Sequence, residues 1–127
     1  MTVTKVSFDF DDCLSEKEVQ DYAQSLVDRG IEVWITTRRL ETSLEHPNID
    51  LKKVAKKLGI PDKRITFMGM QWKYVFLKNS DFIWHIDDDI EDLKRISAFA
   101  TTGIKCILYT PRGQWRGHCE RFINLNS

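Results

Sequence analysis

Apolar residues recur along this 127-residue chain with two different periods, and the period switches repeatedly. Residues 3–10 (VTKVSFDF) alternate, with Val6, Phe8 and Phe10 on one side, as a strand entering a core does. The spacing of Val19, Tyr22, Ala23, Leu26 and Val27 is helical, and Gly30 closes that helix. Ser15 and Glu18 in front of it read as a capping box. Residues 31–36 (IEVWIT) are β-branched and aromatic and predict a second strand, followed by a loop over 38–49. Leu51, Val54, Ala55 and Leu58 predict a short helix stopped by Gly59 and Pro61. A third strand is expected over Arg64–Met68, a helical stretch over Gln71–Lys78 and a fourth strand over Asp81–Asp87. Asp89 is placed to cap a helix over 90–98. A fifth strand over Ile104–Tyr109 and a terminal helix over 114–124 complete the pattern.

Strands that alternate with helices favour a parallel sheet with helices on both faces. The expected fold is therefore α/β: a Rossmann-like three-layer sandwich around a central five-stranded parallel sheet, formed by residues 1–127 as one domain. In such sheets ligands bind outside the carboxyl ends of the strands. Two runs of acids fall there, Asp9-Phe10-Asp11-Asp12 after the first strand and Asp87-Asp88-Asp89 after the fourth. They are far apart in sequence and are expected to share one rim of the sheet.

Charge and cysteine content narrow the classes of partner. Lys plus Arg and Asp plus Glu each number 19, which gives no strong signal for nucleic acid or for a membrane surface. Arg112, Arg116 and Arg121 are the residues from which a local basic patch would be built. Three cysteines (Cys13, Cys106, Cys119) form no CxxC pair, and neither a signal-peptide pattern nor a long apolar run is present, so a cytoplasmic setting is expected.

Converging carboxylates repel one another and stay ionised most easily around a hard cation. Magnesium suits a few carboxylates plus phosphate oxygens, the arrangement that phosphoryl transfer uses. A strand ending in aspartates also fits a solvated turn or a helix cap, but two such runs at one rim favour a shared site. EF-hand loops begun at Asp9 or Asp87 lack the sixth-position Gly and the twelfth-position Glu. His46, His85 and His118 are too scattered for a zinc site, and Walker-A and GxGxxG patterns are absent.

Four segments, in order, resemble the motifs of the haloacid dehalogenase-like superfamily. Phe8-Asp9-Phe10-Asp11-Asp12-Cys13-Leu14 is similar to its first motif, and Val33-Trp34-Ile35-Thr36-Thr37-Arg38 to its second. Lys73 stands where the third-motif lysine is expected, in competition with Lys78, which lies farther from the rim. Ile86-Asp87-Asp88-Asp89-Ile90-Glu91-Asp92 is similar to the fourth. The resemblance implies a magnesium-dependent phosphomonoester hydrolase working through an aspartyl-phosphate. Asp9 would be nucleophile and metal ligand. Asp11 would be general acid and then base, with its backbone carbonyl on the metal. Thr36, with Thr37 beside it, would bind phosphate together with Lys73, while Asp87 and Asp88 would hold Mg2+ and Asp92 would brace the site.

The chain departs from the family pattern at Asp12, where glycine is usual, and at Cys13, where Thr or Val is usual. The short spans from Asp11 to Thr36 and from 38 to 72 leave no room for an inserted cap domain, and the loop 38–50 is the candidate partial lid. The implied substrate is a phosphorylated small molecule or macromolecule. Trp72 and Trp115 would pack either in a core or between copies of the chain in a homo-oligomer. Two other readings share the fold: a metal- or partner-binding domain without turnover, and a phosphatase of nucleotides or nucleic-acid ends. A response-regulator receiver fits less well, because the third strand ends in Phe67-Met68-Gly69 with no phospho-acceptor.

Overall fold

Every predicted strand forms, and each is followed by a helix. The computed structural model describes residues 3–42 and 47–126. In chain order the elements are β1 (Lys5–Phe8), α1 (Lys17–Asp28), β2 (Glu32–Thr37), α2 (Ile49–Leu58), β3 (Ile65–Phe67), α3 (Tyr74–Leu77), β4 (Trp84–Asp87), α4 (Ile90–Phe99), β5 (Lys105–Leu108) and α5 (Trp115–Leu125). The five strands are parallel, in the order β3-β2-β1-β4-β5. Between Asp11 and β2 the chain makes only a tight turn (Phe10–Leu14) and α1. Residues 43–46 of the expected lid, His46 among them, lie outside the described residues.

Strand register sorts the side chains onto two faces. Phe8 pairs with Ile35 and with Ile86, and Ile86 with Ile107. These residues join one core with Val19, Tyr22, Ala23 and Leu26 of α1, Leu51, Ala55 and Leu58 of α2, and Trp115, Cys119 and Ile123 of α5. On the other face Leu77 of α3 and Leu93 and Ile96 of α4 make a smaller core with Phe82 and Ile104. The smaller core is flanked by Trp34 of β2 and Cys106 of β5. The middle of that second face is polar: Ser7 and His85 pair there, with Asp9 and Asp87 two residues beyond them.

Local details differ from expectation for identifiable reasons. Ser15 and Glu18 do not form a capping box. Glu16 caps α1 without a side-chain bond, while Ser15 Oγ accepts from the Asp12 N–H and Glu18 accepts from Tyr109 Oη and the Arg112 N–H. α3 spans one turn rather than Gln71–Lys78, because Gly69 (φ 58°) and Met70 (φ 76°) form a tight turn that delays the helix. β1 ends at Phe8 because the chain turns at once into Phe10–Leu14. Asp89 does cap α4, accepting from the Glu91 N–H at 2.9 Å.

Phe8 has no exposed surface and meets Trp84 edge-on, ring centroids 5.3 Å apart. Phe8→Ala should cost about 3–5 kcal/mol through lost burial and the cavity left behind. Urea unfolding measures it, and a loss below about 1 kcal/mol would contradict the central place given to this side chain.

Candidate functional site

The sheet order creates a crevice. β1 and β4 are neighbours, yet the chain leaves β1 toward β2 and leaves β4 toward β5 on the opposite side. At such a switch point the loops part and leave room for a ligand. Asp9 follows β1, Asp87 ends β4 and Asp88 comes next. A cavity of about 500 Å³ opens here, lined by these three aspartates and by Asp11, Thr37, Lys73 and Arg39 among others. The strand order also departs from the 2-1-3-4-5 order of receiver domains.

Lys73 holds the centre. It precedes α3, and its ammonium lies 2.7 Å from Asp9 Oδ1 and 2.6 Å from Asp87 Oδ2. All three side chains are buried. Lys78, the competing lysine, sits at the far end of α3, where its carbonyl accepts from Thr101. Burial alone would lower the Lys73 pKa, but Asp9 and Asp87 overcome it and hold the ammonium charged. Burial likewise opposes ionisation of Asp87, yet His85 and Lys73 keep its carboxyl well below the usual range. Asp9 goes the other way: burial and then the Asp87 charge push it up, and Lys73 only partly offsets them. Asp88 is also raised, chiefly by burial and also by the charge of Asp87.

One buried ammonium therefore faces more carboxylate charge than it neutralises. Oxygens of Asp9, Asp87 and Asp88 lie within 4.8 Å of one another. A hard divalent cation fits this set, both in donor chemistry and in the charge still uncompensated.

The other expected residues divide. Asp92 is buried beside Lys73: its Oδ1 accepts the Lys73 backbone N–H at 3.2 Å, and its Oδ2 lies 3.8 Å from the ammonium. Thr37 lines the cavity, and its Oγ1 accepts from the Arg39 N–H. Thr36 is not among the lining residues: it is fully buried, with Oγ1 2.8 Å from Ser7 Oγ. The Asp11 side chain is not among the three clustered carboxylates. It forms a two-pronged pair with Arg39, Nη2 to Oδ1 at 2.6 Å and Nε to Oδ2 at 3.0 Å. Arg39 also bonds Asp50 twice and Asn48 once, and the Asp50 carboxyl is pulled down to about 2 principally by this guanidinium. Arg38 lies over one side of the rim residue Trp72 at 4.5 Å, and Arg95 also lies over that ring, at 3.6 Å.

Asp12 adopts φ 56° and ψ 21°, a left-handed conformation inside the Phe10–Leu14 turn. Glycine is the usual solution at such an angle, and Asp is among the few other residues that tolerate it. Cys13 is buried in the main core, its thiol pushed up by burial and then by the nearby aspartates, which suits a packing role.

Three contributors were not read from the sequence: Ser7, His85 and the Arg39 clamp. Ser7 and His85 each precede a site aspartate by two residues, so they share its face of the sheet. Polar residues at inward-facing strand positions were the available signal. Arg39, like Arg38, could be read only as a substrate contact or as surface charge; its clamp was hidden because its partners come from segments 9 to 28 residues away.

No protein-family model matches this chain, and neither does any curated protein.

Lys73→Met should lower stability in EDTA by about 3 kcal/mol, since it strands two buried carboxylates. Added Mg2+ should restore part of that loss, and thermal unfolding with and without the ion measures both effects. At position 12, Asp12→Ala should cost about 1 kcal/mol and Asp12→Gly should be nearly neutral. Equal losses in the two variants would exclude the left-handed backbone as the reason.

Proposed function

We propose that the chain is a magnesium-dependent phosphomonoester hydrolase of the haloacid dehalogenase-like type. The observation that carries this reading is the Lys73 ammonium bridging Asp9 and Asp87 at the switch-point crevice, with Asp88 beside them. The four ordered sequence motifs support it independently.

Asp9, Asp87 and Asp88 would hold Mg2+, which when bound supplies positive charge against the phosphate oxygens. Lys73 adds its own charge and keeps the Asp9 carboxylate in place. Thr37, rather than Thr36, faces the cavity and is the hydroxyl available to a phosphate oxygen. An Asp9 oxygen attacks phosphorus, the bond to the ester oxygen breaks, and protonated Asp11 gives that oxygen its proton. Asp11, now a carboxylate, takes a proton from water as that water attacks the aspartyl-phosphate. Inorganic phosphate leaves and the Asp9 carboxylate is regenerated. For the first step Asp11 must give up at least one of its two bonds to Arg39. The open cavity, with one turn and one helix between β1 and β2, fits a phosphorylated small molecule or an exposed phosphate on a macromolecule.

The Arg39 clamp favours a second reading, a metal- or partner-binding domain without turnover, because it commits the Asp11 carboxylate elsewhere. Hydrolysis of an aryl phosphate separates the two. On the first reading, wild-type protein turns over with Mg2+ and not with EDTA, and Asp9→Asn lowers kcat by about 1,000-fold or more. Undiminished turnover in Asp9→Asn would exclude Asp9 as nucleophile. Mg2+ binding by calorimetry with no turnover across a broad panel of phosphate esters would favour the second reading.

A further inference from the structure

A line of polar side chains runs beneath the site, across three strands. Thr36 Oγ1 lies 2.8 Å from Ser7 Oγ, Ser7 Oγ 2.8 Å from His85 Nδ1, and His85 Nε2 2.8 Å from Asp87 Oδ2. All four residues have no exposed surface. The same Asp87 oxygen receives the Lys73 ammonium at 2.6 Å, and that ammonium reaches Asp9 at 2.7 Å. The row therefore ends on the group that holds the centre of the site.

The chemistry of the end group gives the row a direction. An ionised carboxylate has no proton to donate, so His85 Nε2 carries one and gives it to Asp87. A neutral imidazole then presents Nδ1 as an acceptor, which the Ser7 hydroxyl fills as donor. Ser7 Oγ in turn accepts from the Thr36 hydroxyl. Each group donates toward Asp87, and one tautomer of His85 satisfies the whole row. The other Asp87 oxygen accepts from the Asp89 N–H at 3.0 Å. Both edges of this carboxylate are thus fixed from within the fold. The flanking inward positions on the same face, Trp34 and Cys106, pack against the apolar core, so the fold does not require polar residues throughout this layer.

We propose that His85 is a positioning residue of this site, oriented by Ser7 and Thr36, which holds the Asp87 carboxylate so that Lys73 bridges it to Asp9. The proposal rests on reading Asp87 as part of the metal and phosphate site for its consequence, but not for its geometry. A hydrogen-bonded partner behind a ligating carboxylate sets that ligand's orientation, and its loss typically costs 10- to 100-fold in metal affinity.

The primary test needs no metal and no substrate. Nitrogen-15 NMR of the metal-free 127-residue chain should show the His85 ring as the Nε2–H tautomer. It should also show a slowly exchanging Lys73 ammonium. Ser7→Ala should shift the Nδ1 resonance and leave the ammonium signal. His85→Leu should abolish or broaden the ammonium signal, and His85→Gln, whose amide nitrogen can still reach Asp87, should restore it. In calorimetry His85→Leu should bind Mg2+ about 10- to 100-fold more weakly than wild type, with His85→Gln within about 3-fold. An Nδ1–H tautomer, or an unchanged ammonium signal in His85→Leu, would overturn the proposal. So would a His85→Gln variant no better than His85→Leu. Should His85→Leu fail to fold, the wild-type tautomer and the Ser7→Ala shift still decide. If wild-type protein binds no Mg2+ while the NMR pattern is as expected, the metal reading fails and the positioning role of His85 stands.

Discussion

The site depends on one buried ammonium placed between two buried carboxylates. Lys73, Asp9 and Asp87 come from three separate stretches of chain, and each is costly to bury without the others. Their contact therefore fixes more than a local geometry. It ties the ends of β1 and β4 to the segment that precedes α3, and through the Lys73 backbone it also engages Asp92 on α4. Burial first, and then the charge of Asp87, raises the pKa of Asp9, and three clustered carboxyl groups face one ammonium, a donor set that a divalent cation would fit. A buried ion cluster balanced in itself would have served stability alone. This one is biased.

Topology supplies the place and polarity supplies the content. The order β3-β2-β1-β4-β5 puts the strand ends bearing Asp9 and Asp87 side by side, where no connection crosses above them. The two faces of the sheet then take different tasks. The face against α1, α2 and α5 is mainly apolar, with Thr37 and Lys105 as polar positions toward its ends, and carries the larger core. The face against α3 and α4 is apolar at its flanks and polar in the middle, giving up hydrophobic burial there for a hydrogen-bonded base under the site. Stability and chemistry are thus separated by layer, with the strands as the common wall.

The fold was legible in the sequence because period and punctuation agreed along most of the chain. Alternating Val6 and Phe8 and the helical stripe from Val19 to Leu26 each specify one element and one face. Boundaries were less legible, since Gly69 and Met70 delay α3 through backbone angles that the apolar pattern does not reveal. In the site, Asp9, Asp87 and Asp88 could be read because charge at a strand end is conspicuous, and Lys73 because the resemblance expects a lysine there. The choice between Thr36 and Thr37 could not: Thr36 shares the Ser7 and Asp87 face of the sheet, yet it is buried beneath the site, and Thr37, at the strand's end, is the one that lines the cavity. Arg39 was opaque for a different reason. Its clamp on Asp11, Asn48 and Asp50 is a meeting of loops, and loops carry no periodicity to read.

The left-handed backbone at Asp12 bears on how such a site should be described at all. A motif written in residue names asks for glycine after the second aspartate, and this chain does not supply it. A motif written in dihedral angles asks only for a residue that accepts φ near +56°, and Asp12 meets that demand. The two descriptions diverge for Asp and Asn, the non-glycine residues that most readily visit this region. The backbone demand at position 12 is thus one of shape, which Asp meets as glycine would, while its carboxylate adds a further acid to the cavity lining.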